Sequence, residues 1–216
     1  MKTAMRLVLA VVGLGLLAAV IWRWPVNGWG SLVWAASMAV LTIIRLPYAK
    51  RTATNRIIDK RAVSTERLLL ALVAIGGTVL PLVHLATGLL GFANYDLPNW
   101  AVAAGAAILV PAYWLFWRSH ADLGRNWSVT TELRDRHELV TSGIYKRIRH
   151  PMYAAIWLIF LVQPLLVHNW IAGLSGPLAF AVMYFIRVPY EEAMMRERFG
   201  EAYDAYSKRA GRLCPR

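Results

Sequence analysis

The run Leu68-Leu-Leu-Ala-Leu-Val-Ala-Ile-Gly-Gly-Thr-Val-Leu-Pro-Leu-Val-His-Leu-Ala-Thr-Gly-Leu-Leu-Gly-Phe92 carries no charged residue. A stretch of this length and character in lipid must pair every backbone amide within itself, which a helix does. Comparable runs lie on both sides of it: Leu7–Trp22, Trp29–Ile44 and Trp100–Trp117, the last with Pro111 inside. A final pair, Ala154–His168 and Ile171–Ile186, reads as a hairpin around Asn169, and the polar tail from Pro189 reads as helix. The chain is 58% hydrophobic and 17% charged, where soluble domains average about 45–50% and about 25%. The fold expected is all-α: a polytopic membrane helical bundle of about six apolar segments. These are four spans, a C-terminal helical hairpin and a cytosolic C-terminal helix. One membrane domain, 1–216, is expected, with the four spans in 1–117 and a cofactor-binding, catalytic part in 118–216.

Charge orients the spans. The chain has 24 Lys and Arg residues, and all but Arg23 fall on one side of the expected bundle. They cluster before the first span, between spans two and three, in the long polar stretch Arg118–His150, and from Arg187 to the end. The positive-inside rule then places both termini, both long loops and the polar segments in the cytoplasm. In a bacterium that implies the plasma or inner membrane, and in a eukaryote the endoplasmic reticulum. The net charge of +12 sits in blocks that alternate with apolar runs, so it is read as a topology signal and not as a nucleic-acid surface. Trp24, Trp29, Trp100, Trp114, Trp117 and Trp170 lie near span ends as interfacial anchors.

The N-terminus resembles a signal peptide, but its apolar run continues to Ile21, and Arg23-Trp24-Pro25 is a poor cleavage site. An uncleaved first helix is expected. The single Cys214 excludes a disulfide within the chain, and it stands third from the end, where a prenylation box requires the fourth. Gly13 and Gly15 are read as helix-packing positions, and His84 as an interhelical hydrogen-bonding residue. His120, His137 and His168 show no metal-ligand spacing, and no phosphate-binding glycine loop or nucleophile triad is present.

Two polar runs stand out. The first is His137-Glu-Leu-Val-Thr-Ser-Gly-Ile-Tyr-Lys-Arg-Ile-Arg-His-Pro-Met-Tyr153. Pro151 suits the first turn of a helix, so His150 and Tyr153 flank a helix start, where unpaired amides favour polar ligand groups. The bland alternative is a cap with an aromatic anchor. The second run holds Arg187, Glu191 and Glu192, then Phe199-Gly-Glu-Ala-Tyr-Asp-Ala-Tyr206. If one helix continues through Pro189, Arg187 and Glu191 share a face. If Pro189 starts a new helix, both glutamates sit in its first turn. Charges near the hydrocarbon boundary are costly, and function is their default reading.

These runs resemble the isoprenylcysteine carboxyl methyltransferase family. Its pattern reads Leu-Val-Thr-Ser-Gly-(Val/Ile)-Tyr, Arg-His-Pro-x-Tyr, Arg-x-x-x-Glu-Glu and Phe-Gly-x-x-Tyr-x-x-Tyr, matched in order over about the last 90 residues. The resemblance implies a cytosol-facing S-adenosylmethionine pocket and a lipid-accessible route for a lipophilic acceptor. By position, His137, Glu138, Leu139, Val140, Tyr145, His150, Pro151, Met152 and Tyr153 would line the cofactor site. Thr130 falls at a further cofactor position, with a different residue type. Glu191 would also touch the cofactor, Arg187 would face the substrate, and these two would form the catalytic pair. The stretch Leu123–Ser128 and the closing Arg209–Arg212 depart from the family pattern.

The chemistry fits this reading. Methyl transfer needs alignment more than an acid catalyst. A carboxylate acceptor is already ionised, and Arg187 can hold it by charge-assisted bonds. An amine or thiol acceptor would need a base, for which Glu191 or Glu192 is available. The expected activity is carboxyl methylation of a prenylated cysteine or similar, with a phospholipid amine or another small apolar acceptor as an alternative. The expected partners are a lipophilic substrate arriving from the bilayer and membrane lipids. Two rivals stand beside it: a nicotinamide-dependent membrane reductase of the sterol type, and a non-enzymatic adaptor whose basic loops hold anionic lipid.

Overall fold

In the computed structural model, the structure describes residues 2–52, 57–60, 63–124, 132–134 and 138–216. Their helices run α1 (Lys2–Trp22), α2 (Trp24–Asn27), α3 (Trp29–Thr52), α4 (Val63–Ala74), α5 (Leu80–Thr87), α6 (Asn99–Leu123), α7 (Pro151–Leu166), α8 (Trp170–Phe199) and α9 (Glu201–Arg209). A π-helical turn, Ile75–Val79, joins α4 to α5 without a break. The expected helical bundle is therefore observed, with one addition. Strands β1 (Ile57–Lys60) and β2 (Glu132–Arg134) pair antiparallel. Each is only a few residues long, too short for an alternating pattern to reveal it.

Among the described residues, four helical stretches are long and apolar enough to cross a membrane: Trp29–Ala49, Ser64–Thr87, Asn99–Leu123 and Trp170–Phe199. Helix α1 is 21 residues long and apolar, and Pro151–Leu166 is shorter. Together with α1 and α7 they make up the six apolar segments expected. Thirty residues give α8 a length of about 45 Å, while the 16 of α7 give about 24 Å against a hydrocarbon layer of about 30 Å. Prolines inside α3, α6, α7 and α8 are tolerated where neighbouring groups satisfy the freed carbonyls.

In the bundle, α6 packs along α7, α7 along α8, and α8 against α4 and the π-turn, while α3 leans on α6 and α7 and α1 on α3 and α5. The larger core joins Val20, Trp34, Leu85, Leu109, Ile159, Val162 and Leu166. A second core, near the middle of α8, holds Leu69, Phe160, Phe180 and Met183. Asn169, fully buried, makes the α7–α8 turn. Its Oδ1 accepts from the amides of Ile171 and Ala172, and its Nδ2 donates to Leu90 O and Asn94 Oδ1.

Two readings of single residues fail. A Cβ built on Gly13 or Gly15 meets nothing within 4 Å, so these glycines do not pack against the rest of the chain. His84 is buried, but its Nδ1 has no hydrogen-bond partner among the described residues. The close helix approaches use other glycines. A Cβ at Gly30 would overlap the Leu166 carbonyl, and one at Gly176 the Gln163 amide. All six tryptophans expected as anchors are exposed.

Candidate functional site

The segment before α7 owes its path to a glycine and an aspartate. Gly143 adopts φ +58°, a region that penalises any Cβ. A Cβ there would also overlap the Asp122 carboxylate. Asp122 accepts from the Ile144 amide at 2.7 Å and pairs with Arg118 one helical turn back on α6. The 3₁₀ turn Gly143–Lys146 then directs Tyr145 inward. Residues 147–150 run beside the C-terminal segment. Gly211 N donates to Arg147 O, Arg149 N to Gly211 O at 2.7 Å, and His150 N to Arg212 O at 3.0 Å. Pro151 opens α7, as expected, and His150 is its N-cap without a side-chain capping bond. Its ring is thereby left to contact α8.

Helix α8 continues through Pro189, which decides between the two arrangements left open by the sequence. Arg187 and Glu191 share a face, with Arg187 Nε donating to Glu191 Oε1 at 2.7 Å. The same oxygen accepts from Tyr153 Oη at 2.8 Å. Arg187 Nη1 lies 3.3 Å from Glu66 Oε1, on α4. Glu192 is rotated by about 100° from its neighbour and is 2% exposed. It receives Arg212 at 2.8 and 3.2 Å, Arg149 at 3.2 and 3.3 Å, and His150 Nε2 at 3.2 Å. Arg149 Nη1 also donates to the carbonyls of Ser207 and Ala210. Two adjacent carboxylates thus have separate tasks: Glu191 faces the cavity, and Glu192 ties α7, α8 and the C-terminal segment together.

Helix α9 closes this end. Tyr203 and Tyr206 pack with Leu139, Met195 and Phe199, and Tyr206 Oη donates to Tyr145 O at 2.7 Å. Burial pushes the phenols of Tyr203 and Tyr206 up to about 12, and burial raises that of Tyr145 as well. All three remain neutral at physiological pH.

Between these elements lies a cavity of about 580 Å³, within the range of small-molecule sites. Glu138, Leu139, Val140, Tyr145, His150, Met152, Tyr153, Arg187 and Glu191 all line it, so residues 50 positions apart converge as the sequence pattern implied. Pro151 is buried behind the wall and does not line it. Thr130 and His137 lie outside the described residues. The sequence reading gave no site role to Arg45, His120 and Arg149, which line the cavity, or to Glu66 and Arg212, which frame it. Arg149 stands inside the quoted motifs, and Arg45 and Glu66 are charges at span ends, a signal in itself. Glu192 itself does not line the cavity and is held by Arg149, His150 and Arg212, so Glu191 is the better placed of the two to act as a base. The remaining lining, from α3, α4, α7 and α8, is largely apolar. The arrangement suits a ligand with a charged head and an apolar body.

Residues 105–197 match the sequence model of the isoprenylcysteine carboxyl methyltransferase (ICMT) family, so the resemblance read from the two polar runs is borne out. A probable protein-S-isoprenylcysteine O-methyltransferase of Oryza sativa subsp. indica is 27% identical over 88 residues, 40% of this chain and 46% of that protein. The human protein-S-isoprenylcysteine O-methyltransferase is 36% identical over 84 residues, 39% of this chain and 30% of that one. A methanethiol S-methyltransferase of Pseudomonas deceptionensis is 30% identical over 135 residues, 56% of this chain and 50% of that one. The matches span half or less of these relatives' own lengths. The solved structure of the eukaryotic intramembrane Ras methyltransferase ICMT superposes with a TM-score of 0.59 at 17% identity, covering 93% of this chain and 72% of that one. The membrane fold is shared.

Proposed function

We propose that this chain transfers a methyl group from S-adenosylmethionine to an acceptor with a lipophilic tail, in the first place the carboxylate of a prenylated cysteine. The observation that carries the reading is the Tyr153–Glu191–Arg187–Glu66 chain of contacts at the head of a largely apolar cavity. The family match over residues 105–197 supports a methyl donor. The residues at this end suit S-adenosylmethionine in particular. Two carboxylates, Glu138 and Glu191, and the aromatic faces of Tyr145, His150 and Tyr153 surround one end of the cavity, a setting that favours a cationic ligand. When bound, the donor supplies an activated methyl group on a positively charged sulfur.

The chain's own residues do the rest. Arg187 orients the acceptor carboxylate, which arrives ionised and needs no base. Glu191 holds Arg187 and Tyr153 in place. The apolar walls exclude water, so the approach geometry is fixed before reaction. On this reading residues 118–216 form the cofactor-binding and catalytic part, and 1–117 its membrane scaffold. Membrane lipids and an acceptor arriving from the bilayer are its partners, and the active site and both termini face the cytoplasm.

A second reading is favoured by the longer match to the methanethiol S-methyltransferase: the acceptor is a thiol, and Glu191 takes its proton. Titration of the purified protein with S-adenosylmethionine and with NADPH tests the donor. Binding of S-adenosylmethionine alone is expected, and binding of NADPH alone overturns the proposal. Transfer assays with a prenylated cysteine and with a small thiol separate the two acceptors.

A further inference from the structure

The lower end of the cavity is built by a device that neither the donor nor the charged head explains. At Gly76-Gly77 the α4–α5 path widens into a π-turn, a feature that recurs at functional sites. Two polar side chains hold it open: Gln163 Nε2 donates to Gly76 O at 3.2 Å and Ser175 Oγ to the same oxygen at 2.7 Å. Gln163 is 2% exposed and also donates to Ala172 O, so a polar lock closes the bundle beneath this point. The missing side chains let the turn come close. A Cβ on Gly76 would overlap the Ser175 carbonyl, and one on Gly77 would stand 2.6 Å from Phe160 Cζ.

Phe160 in turn packs on Phe180, with ring centroids 5.5 Å apart. Thr78 Oγ1 lies 4.0 Å from Met38 Sδ, bridging the turn to α3. Met38, Gly77, Thr78, Phe160 and Phe180 all line the cavity, and Met38, Phe160 and Phe180 each lie two turns of helix below a residue of its head. The pairs are Arg45 and Met38 on α3, Tyr153 and Phe160 on α7, and Arg187 and Phe180 on α8. Each separation is seven residues, or about 10 Å along the helix. Three helices agree on one depth, and Gly77 and Thr78 of the π-turn complete the ring, so it is a floor and not a chance constriction.

We propose that this floor sets the length of the apolar tail the acceptor carries. The proposal deepens the methyl-transfer reading and rests on it. An acceptor whose carboxylate sits at Arg187 has about 10 Å of chain below it. The cysteine carbons and sulfur take about half of that depth, so roughly one isoprene unit lies extended above the floor, and each further unit of a geranyl, farnesyl or geranylgeranyl tail has to bend. Gly77 and Phe160 are the specificity-determining residues: the first admits the second, and the second ends the cavity.

The test measures methyl transfer by the full chain in detergent to geranyl-, farnesyl- and geranylgeranyl-cysteine. The wild-type kcat/KM is expected to fall at least about tenfold from the geranyl to the geranylgeranyl acceptor. Phe160→Ala should flatten that series by opening the floor. Phe160→Leu, a smaller change, should flatten it in part and guards against a variant that fails to fold. Thermal shifts induced by the same three acceptors provide a readout independent of transfer. A tail-length dependence of binding that Phe160→Leu alters, without transfer, would retain the floor and overturn the methyltransferase reading. Transfer with the same ratio in wild type and both variants would overturn the floor and retain the enzyme.

Discussion

Replacing Arg187 by alanine should cost more than replacing Glu191, although the two form one ion pair. The reason is the third member. Arg187 bonds Glu191 at 2.7 Å and lies 3.3 Å from Glu66, and the three side chains are only 12%, 19% and 7% exposed. Removing one side of a buried pair costs about 3–5 kcal/mol. Arg187→Ala withdraws the cation from two carboxylates at once, so the upper part of that range is expected. Glu191→Ala leaves Arg187 beside Glu66, and the loss reduces to one charged hydrogen bond and its desolvation, about 1–3 kcal/mol. The gap between the variants is about 2 kcal/mol on these figures. Unfolding of both variants in the same detergent measures the gap, with S-adenosylmethionine titrated in parallel. Arg187→Lys should regain most of the stability. It should still lose transfer roughly tenfold to a hundredfold, because a point charge lacks the guanidinium fork and a charge-assisted contact is worth about 1.5–3 kcal/mol. Equal destabilisation by Arg187→Ala and Glu191→Ala would refute the three-membered network, and a fully active Arg187→Lys would refute the anchoring role.

The neighbouring network should respond differently along its own members. Glu192→Ala should cost about 3–5 kcal/mol by stranding the buried Arg149 and His150. Arg212→Ala, half exposed, should cost about 0–1 kcal/mol, and melting curves of the two give the comparison. Tyr153→Phe removes the 2.8 Å bond to Glu191 and should weaken donor affinity roughly twofold to tenfold with little change in melting temperature, from about 0.5–1.5 kcal/mol; calorimetry reads it. Gly143→Ala should destabilise by at least about 1–2 kcal/mol, since φ is positive and Asp122 occupies the space. Adding Asp122→Ala should recover only the steric part, which a double-mutant comparison of unfolding separates.

Long-range order along the chain was legible wherever one dominant force acts locally. Backbone pairing in lipid acts segment by segment, so the apolar runs read directly as helices, and the span now formed by α4, the π-turn and α5 was visible from Leu68 to Phe92. The motifs at 137–153 and 187–206 marked the chemistry, and nine of the residues they assigned to the site do meet at one cavity. Other features depend on which elements become neighbours, and no local pattern carries that information. Whether α8 runs through Pro189 is open in the sequence; in the fold it does, and its contact with α4 gives Arg187 a second carboxylate, from Glu66. Glu191 and Glu192 are equivalent in one dimension. A turn of about 100° between them sends one to the cavity and the other to Arg149 and Arg212. The glycines reverse in the same way: Gly13 and Gly15 promised packing and find nothing near them, while Gly76 and Gly77 shape the cavity. A glycine records only the absence of a side chain, and the tertiary structure decides what comes close enough to use it.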